Sequence, residues 1–152
     1  MPADDFQIND YTILEHGCFI SQMERLASAV EAWKQSGKPG QCPEANLLNR
    51  ILEEIDNIAL DPSNKEYRLG NTLGQEYKHW RRAKFMGRYR LFFRYDSRKK
   101  IIILAWVNDS ETKRTYGSKK DAYAVFKKML ECGNPPTDWS TLLKATNEQQ
   151  IK

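Results

Sequence analysis

The stretch from Trp80 to Val107, WRRAKFMGRYRLFFRYDSRKKIIILAWV, decides how the rest of the chain is read. Within Arg88 to Tyr95 the side chains alternate, so Tyr89, Leu91, Phe93 and Tyr95 share one face of a strand while Arg88, Arg90, Phe92 and Arg94 share the other. In Trp80 to Phe85 the apolar partners are Ala83 and Phe85, which leaves Trp80, Arg82 and Lys84 on the opposite face. Ile101 to Val107 is apolar throughout and reads as a central strand covered on both sides.

Parity fixes the hairpin between the first two of these strands. Residues directly opposite in an antiparallel pair lie on one face, and a slip of one residue exchanges the faces. With Phe85 and Tyr89 both inward, they pair around the loop Met86-Gly87-Arg88, whose glycine supplies the left-handed backbone such loops need. The same register sets Lys84 opposite Arg90, Arg82 opposite Phe92, and Trp80 opposite Arg94. One face is then expected to carry four cations with Trp80 and Phe92 as exposed aromatics. Lys84 and Arg90 form a like-charged cross-strand pair, unfavourable unless a bound phosphate relieves it.

The surrounding charge points the same way. Between Lys78 and Arg98 eight Lys or Arg face a single acid, Asp96, and alternate with six aromatic residues. From residue 78 to 128 there are 16 basic and 4 acidic residues, which leaves 8 basic and 16 acidic residues elsewhere in a chain of net charge +4. A basic segment set in an acidic remainder is the electrostatic footprint of a protein that binds nucleic acid or another polyanion.

Working outward, two amphipathic helices precede the basic segment. Phe19, Met23, Leu26, Ala27, Val30 and Trp33 recur at helical spacing up to the breaker Ser36-Gly37-Lys38-Pro39-Gly40. Leu47, Leu48, Ile51, Leu52, Ile55 and Ile58 form a second stripe between Pro43 and Asp61-Pro62. Tyr11 to Leu14 reads as a short strand. A further helix runs from about Lys119 to Cys132, with Ala122, Val125, Phe126, Met129 and Leu130 buried and Gly133-Asn134-Pro135-Pro136 as its stop. Tyr123 sits at the margin of that stripe, where its hydroxyl can reach solvent or a ligand.

At 152 residues, 40% apolar and 29% charged, the composition is that of one domain with a sizeable core, which the helices and strands read above make α+β. Residues 10–139 form the expected compact part, and 140–152 read as a tail. No apolar run approaches the roughly 18 residues needed to span a bilayer, and MPADDFQIND lacks the pattern of a secretory signal. No membrane association is expected, and the chain is placed in the cytoplasm. Cys18, Cys42 and Cys132 are too few and too dispersed for a disulfide framework or a zinc motif, and read as small boundary hydrophobes. His79 points with Arg81 and Ala83, away from the basic face, and His16 stands in no motif. No phosphate-binding glycine loop, paired-carboxylate or metal-ligand spacing occurs, so neither a cofactor nor a metal is expected.

The segments WxRxKF (80–85), GRYRLFFRY (87–95), ILxWxND (103–109), RTYG (114–117) and DAYxVFxKML (121–130), in that order, resemble the YhaV toxins of type II toxin–antitoxin systems, members of the RelE superfamily of endoribonucleases. The similarity runs from about Tyr11 to Trp139 and is dense from LGxxxKxW at Leu73 to NPPTDW at 134–139. It implies a RelE-like fold, with an N-terminal helix pair packed on a twisted antiparallel sheet and a C-terminal helix. It also implies cleavage of messenger RNA in association with ribosomes, restraint by a PrlF-like, AbrB-type swapped-hairpin antitoxin, and DNA contact only through the antitoxin complex. Carried onto this sequence, the catalytic positions fall on Arg82, Lys84, Arg90, Tyr123 and Arg114, with Lys113 competing for the role of Arg114. Arg82 stands where some relatives have lysine, and a guanidinium does not give up its proton.

Such residues suit a transesterification in which the ribose 2′-hydroxyl attacks phosphorus and the 5′-oxygen leaves. Arg90 and Arg114 would stabilise the phosphoryl charge. Lys84, crowded by Arg82 and Arg90, and Tyr123, polarised by the same cations, are both candidates for proton transfer. Trp80, Arg88, Phe92, Arg94 and Lys113 would bind the RNA strand. Two other readings stand beside this one: a sheet that only stacks and holds RNA, and an inactive toxin homologue that acts as a corepressor with its antitoxin.

Overall fold

In the computed structural model, His16 and Gly37 bracket the first helix. The His16 Nδ1 accepts from the Cys18 backbone N–H at 3.1 Å, and Gly37 leaves helix α1 (Gly17–Ser36) with a left-handed φ of 69°. Helix α2 (Pro43–Leu60) opens on a proline, whose missing N–H costs nothing in a first turn, and buries Leu47, Ile51, Ile55 and Ile58. The structure describes residues 7–110, 112 and 121–151, with the backbone alone for 148–151.

Strands β1 (Gln7–Ile8), β2 (Tyr11–Glu15), β3 (Arg81–Phe85), β4 (Tyr89–Asp96) and β5 (Ile101–Val107) form one sheet in the order β1-β2-β5-β4-β3. The hairpin has the register that parity dictates, with Phe85 opposite Tyr89, Lys84 opposite Arg90 and Arg82 opposite Phe92. Met86 and Gly87 take positive φ, 47° and 76°, in its three-residue loop. The sheet departs from the expectation of a wholly antiparallel one: β2 lies parallel to β5, with Thr12 opposite Ile101. A parallel pair needs a long crossover, and here everything from α1 to β4 intervenes between the two strands. Between β4 and β5 the register shifts at Phe92 and Phe93, which sit opposite Trp106 and Leu104, so Ala105 is an extra residue on β5.

Helices cover both faces. On one, α1 and α2 meet Ala83, Phe85, Tyr89, Leu91, Phe93, Ile102 and Leu104. On the other, helices α3 (Ala122–Glu131) and α4 (Trp139–Ile151) meet Trp80, Phe92, Ile103, Ala105 and Trp106. This second face is the main correction to the sequence reading. Trp80 and Phe92, expected as exposed aromatics, are both 0% exposed. Phe92 stacks on Phe126 with ring centroids 4.1 Å apart, and Trp80 meets Phe126 edge-on at 5.1 Å. The indole N–H of Trp80 donates to Thr137 Oγ1 at 2.7 Å. Residues 140–152, read as a tail, are helical as far as Ile151 and bury Leu142 and Thr146.

Replacing Phe92 by leucine should therefore lower folding stability by about 1–2 kcal/mol, as a partial loss of buried ring volume does. An exposed base-stacking residue would tolerate the change to within about 0.5 kcal/mol. Urea denaturation of the two proteins separates these outcomes.

Candidate active site

Three of the expected catalytic side chains converge. Tyr123 lies on the first turn of α3, where Asp121 caps the helix by accepting the Tyr123 backbone N–H at 3.1 Å. That cap aims the phenol at the β3–β4 hairpin, and its hydroxyl accepts from Arg82 Nε at 2.8 Å and from Arg90 Nε at 3.0 Å. All three residues are more than nine-tenths buried. The Arg90 guanidinium also lies 5.7 Å from the Tyr123 ring centroid.

Each arginine is anchored on its far side by backbone. Arg82 Nη1 donates to the carbonyls of Glu66 and Arg68, at 3.0 and 2.9 Å. Arg90 Nη1 donates to those of Gly87 and Tyr89, at 3.0 and 2.8 Å. With the two bonds to Tyr123, six hydrogen bonds hold the two planes rigidly, and rigid cations stabilise developing charge without reorganising. Among the described residues neither arginine's Nη2 has a hydrogen-bond partner. Two N–H edges therefore remain for a phosphoryl oxygen.

The Tyr123 oxygen has two lone pairs, and the two Nε–H donors occupy both. Its own proton must then be directed away from the arginines. A phenol in this setting directs its own hydrogen bond to a third group.

Lys84 shares the strand face and stands opposite Arg90, as expected, but its side chain is exposed. It lines a recess of about 370 Å³ with Glu54, Glu66 and Tyr67. Burial holds the Glu54 carboxyl above the usual carboxylate range, opposed by Arg50, whose Nη2 lies 2.7 Å from it. Burial, aided by Glu66 and Glu54, pushes Tyr67 up to about 12, so that phenol stays protonated near neutrality. Arg114 and Lys113 lie outside the described residues.

Of the expected RNA contacts, Arg88 is exposed at the hairpin tip. Trp80 and Phe92 are core residues, as described above. Arg94 is half-buried between two indoles, 5.4 Å from the Trp80 centroid and 5.6 Å from that of Trp139. Its Nη1 donates to the Thr137 carbonyl at 2.6 Å, so it holds the start of α4 against the sheet instead of standing free on a sheet face. His79 is exposed and precedes β3, so strand parity does not place it.

Asn108, which sequence reasoning did not single out, organises the site from behind. It is buried, accepts from the Arg90 backbone N–H at 2.7 Å, and donates to the carbonyls of Arg88 and Thr112 at 3.0 and 2.9 Å. It thereby ties the hairpin loop to the segment that follows β5. Its only trace in the sequence is a buried-strand run ending in Asn-Asp. Among the described residues no three His, Cys, Asp or Glu side chains are grouped to hold a metal ion.

Comparison with known proteins supplies a second line of evidence. Residues 13–147 match a family model described as a toxin with endonuclease activity, of a toxin-antitoxin system. The chain is 42% identical over 149 residues to the ribonuclease toxin YhaV of Escherichia coli strain K12, covering 93% of this chain and 96% of the relative. The same values hold for toxin YhaV of Escherichia coli O157:H7. No solved structure matches significantly.

Proposed function

Because the chain belongs to the YhaV family of ribonuclease toxins of toxin–antitoxin systems, we propose that its RNA cleavage is carried out at the Tyr123 hydroxyl and the two arginines that hold it. The observation that carries this reading is the pair of Nε–H bonds from Arg82 and Arg90 to one phenol oxygen, at 2.8 and 3.0 Å.

In the proposed reaction the scissile phosphate sits against the Nη2 edges of Arg82 and Arg90. The ribose 2′-oxygen attacks phosphorus, and its proton passes to a base on the exposed side, the position Lys84 occupies. The P–O5′ bond breaks, and the departing 5′-oxygen takes the Tyr123 proton. The products are a 2′,3′-cyclic phosphate and a 5′-hydroxyl. Arg82 serves as an electrostatic clamp and not as a base, since its Nε and Nη1 are committed and a guanidinium keeps its proton. We read the helix pair, sheet and C-terminal helices as a RelE-like arrangement acting on messenger RNA at the ribosome. The basic segment is the part of the molecule that an acidic, PrlF-like antitoxin would neutralise, with DNA contacted through that complex.

Digestion of messenger RNA with purified protein and ribosomes in excess chelator, followed by end-group analysis, tests the chemistry. Fragments with 5′-hydroxyl and 2′,3′-cyclic phosphate ends are expected. A protein that shifts RNA in a gel without shortening it would instead be a binder, and 5′-phosphate ends formed only with added metal would reject transesterification.

A further inference from the structure

At the other end of the same hairpin, β4 runs on past the start of β3. The ladder between them begins with Arg81 opposite Phe93, so Arg94, Tyr95 and Asp96 have no partner on β3. The notch is lined by His79, Arg81, Arg94, Arg98, Trp139 and Asp96, with Tyr95 and Ser97, around a volume of about 390 Å³. Three guanidinium groups and an imidazole therefore surround one carboxylate. That carboxylate is engaged locally, since Asp96 Oδ1 accepts the backbone N–H groups of Arg98 and Lys99 at 2.9 and 3.1 Å.

Two buried donors here lack acceptors. Arg81 Nε and Trp139 Nε1 are the buried side-chain polar atoms without a hydrogen-bond partner among the described residues, and both belong to residues that line this notch. Both atoms are closed off from solvent, so what the notch offers an anion is the charge of its guanidinium groups and not these two N–H groups. The remaining bonds of Arg81 fix it in place: its Nη1 donates to the Lys78 and Trp80 carbonyls, and its guanidinium lies 5.8 Å from the Tyr95 ring centroid. Arg94 is held between its two indoles, and burial and the nearby Arg81 charge make its protonated form less favourable, opposed by the Asp138 carboxylate. Fixed cations that repel each other around one notch suit a bound anion.

We propose that this notch binds a phosphodiester of the RNA strand, outside the cleavage site, through Arg81 and Arg98. The proposal rests on the RNA-cleaving reading above and extends it along the hairpin. Arg94 and Arg90 are four residues apart on one strand, about 13 Å at the rise of an extended chain. A single strand of RNA held at the Arg82–Arg90 pair can therefore engage the notch a short distance along its backbone. Phosphate contacts of this kind set register and affinity and read no base.

The test uses the full chain and a fluorescent single-stranded oligonucleotide with 2′-O-methyl riboses, which cannot supply the attacking hydroxyl. Anisotropy titrations over a range of salt compare wild type with Arg98→Glu, Arg98→Lys and Arg81→Gln. Arg98 is exposed and, among the described residues, hydrogen-bonds only through its backbone N–H, so its variants keep the core intact. Arg98→Glu should raise the Kd severalfold and flatten the dependence of log K on log salt by about 0.7 per lost contact. Arg81→Gln should do the same, and Arg98→Lys should recover most of the affinity. Unchanged Kd and slope in both Arg98→Glu and Arg81→Gln would overturn the proposal while leaving a cleaving wild type, and so the proposed function, in place. A wild type that binds the oligonucleotide in this way but yields no cyclic-phosphate ends would support the notch and reject the nuclease mechanism. Variants that bind RNA as wild type but escape neutralisation by the antitoxin would assign the notch to acidic side chains of that protein and also overturn the proposal.

Discussion

Substituting phenylalanine for Tyr123 should reduce the rate of RNA cleavage by about 10²- to 10⁴-fold, the range over which a positioned proton donor acts. The oxygen removed is the acceptor for both Arg82 Nε and Arg90 Nε. Its loss therefore has a second effect. Two charged, buried donors are left unpaired, and each such donor costs about 1–3 kcal/mol of stability. A slow variant could thus be a poor acid or a partly unfolded protein, and the two must be separated. Activity is to be measured well below the thermal midpoint of the variant, with its fold checked by circular dichroism. A substrate whose scissile 5′-oxygen is replaced by sulfur then decides the role. A thiolate leaves without being protonated, so it should restore most of the rate to Tyr123→Phe if the phenol serves as the acid. If the thio substrate gives no rescue, Tyr123 acts only by positioning the arginines. A rate within tenfold of wild type on the ordinary substrate would remove Tyr123 from the mechanism.

The arrangement behind this expectation was partly legible in the sequence, for identifiable reasons. Side-chain alternation has a period of two, so Phe85, Tyr89 and Gly87 together fixed the hairpin register, and with it the neighbourhood of Arg82, Lys84 and Arg90. Helical stripes likewise placed α1 and α2. Parity names a face but not what covers it. That is why Trp80 and Phe92 read as exposed, although α3 and α4 bury them. Helix α4 itself was hard to see, because Leu142 and Leu143 are a weak apolar signal and part of its attachment comes from Arg94 clasped between Trp80 and Trp139. The parallel pairing of β2 with β5 joins segments about 90 residues apart, and nothing local specifies which edge a short strand such as Tyr11–Glu15 will take. Asn108 works through backbone carbonyls and an N–H, groups every residue possesses, so the Asn-Asp that closes the β5 run did not say what it would bond.

Arg90→Lys is the sharper test of geometry against charge. A lysine keeps the positive charge and, at low dielectric, most of the long-range attraction for a phosphate. It does not keep the fork. Arg90 uses Nε for the Tyr123 hydroxyl and Nη1 for the Gly87 and Tyr89 carbonyls, which leaves Nη2 for substrate. A single ammonium cannot reach the phenol, two carbonyls of the hairpin and a phosphoryl oxygen from one point. If it serves the substrate, the phenol loses one of its two orienting donors; if it serves the phenol, the phosphoryl oxygen loses a cation. Cleavage by Arg90→Lys should therefore fall about 10²- to 10³-fold, the usual cost of removing one preorganised donor, and approach the rate of Arg90→Ala. The loss should lie in kcat more than in KM, because affinity for RNA comes mainly from the summed basic surface and tolerates one displaced charge. Single-turnover rates and KM for the three proteins give that comparison. Recovery of wild-type kcat by lysine would mean that the site needs only a cation at this position. The two-armed clasp on Tyr123 would then be a feature of packing, and the acid would have to be sought elsewhere.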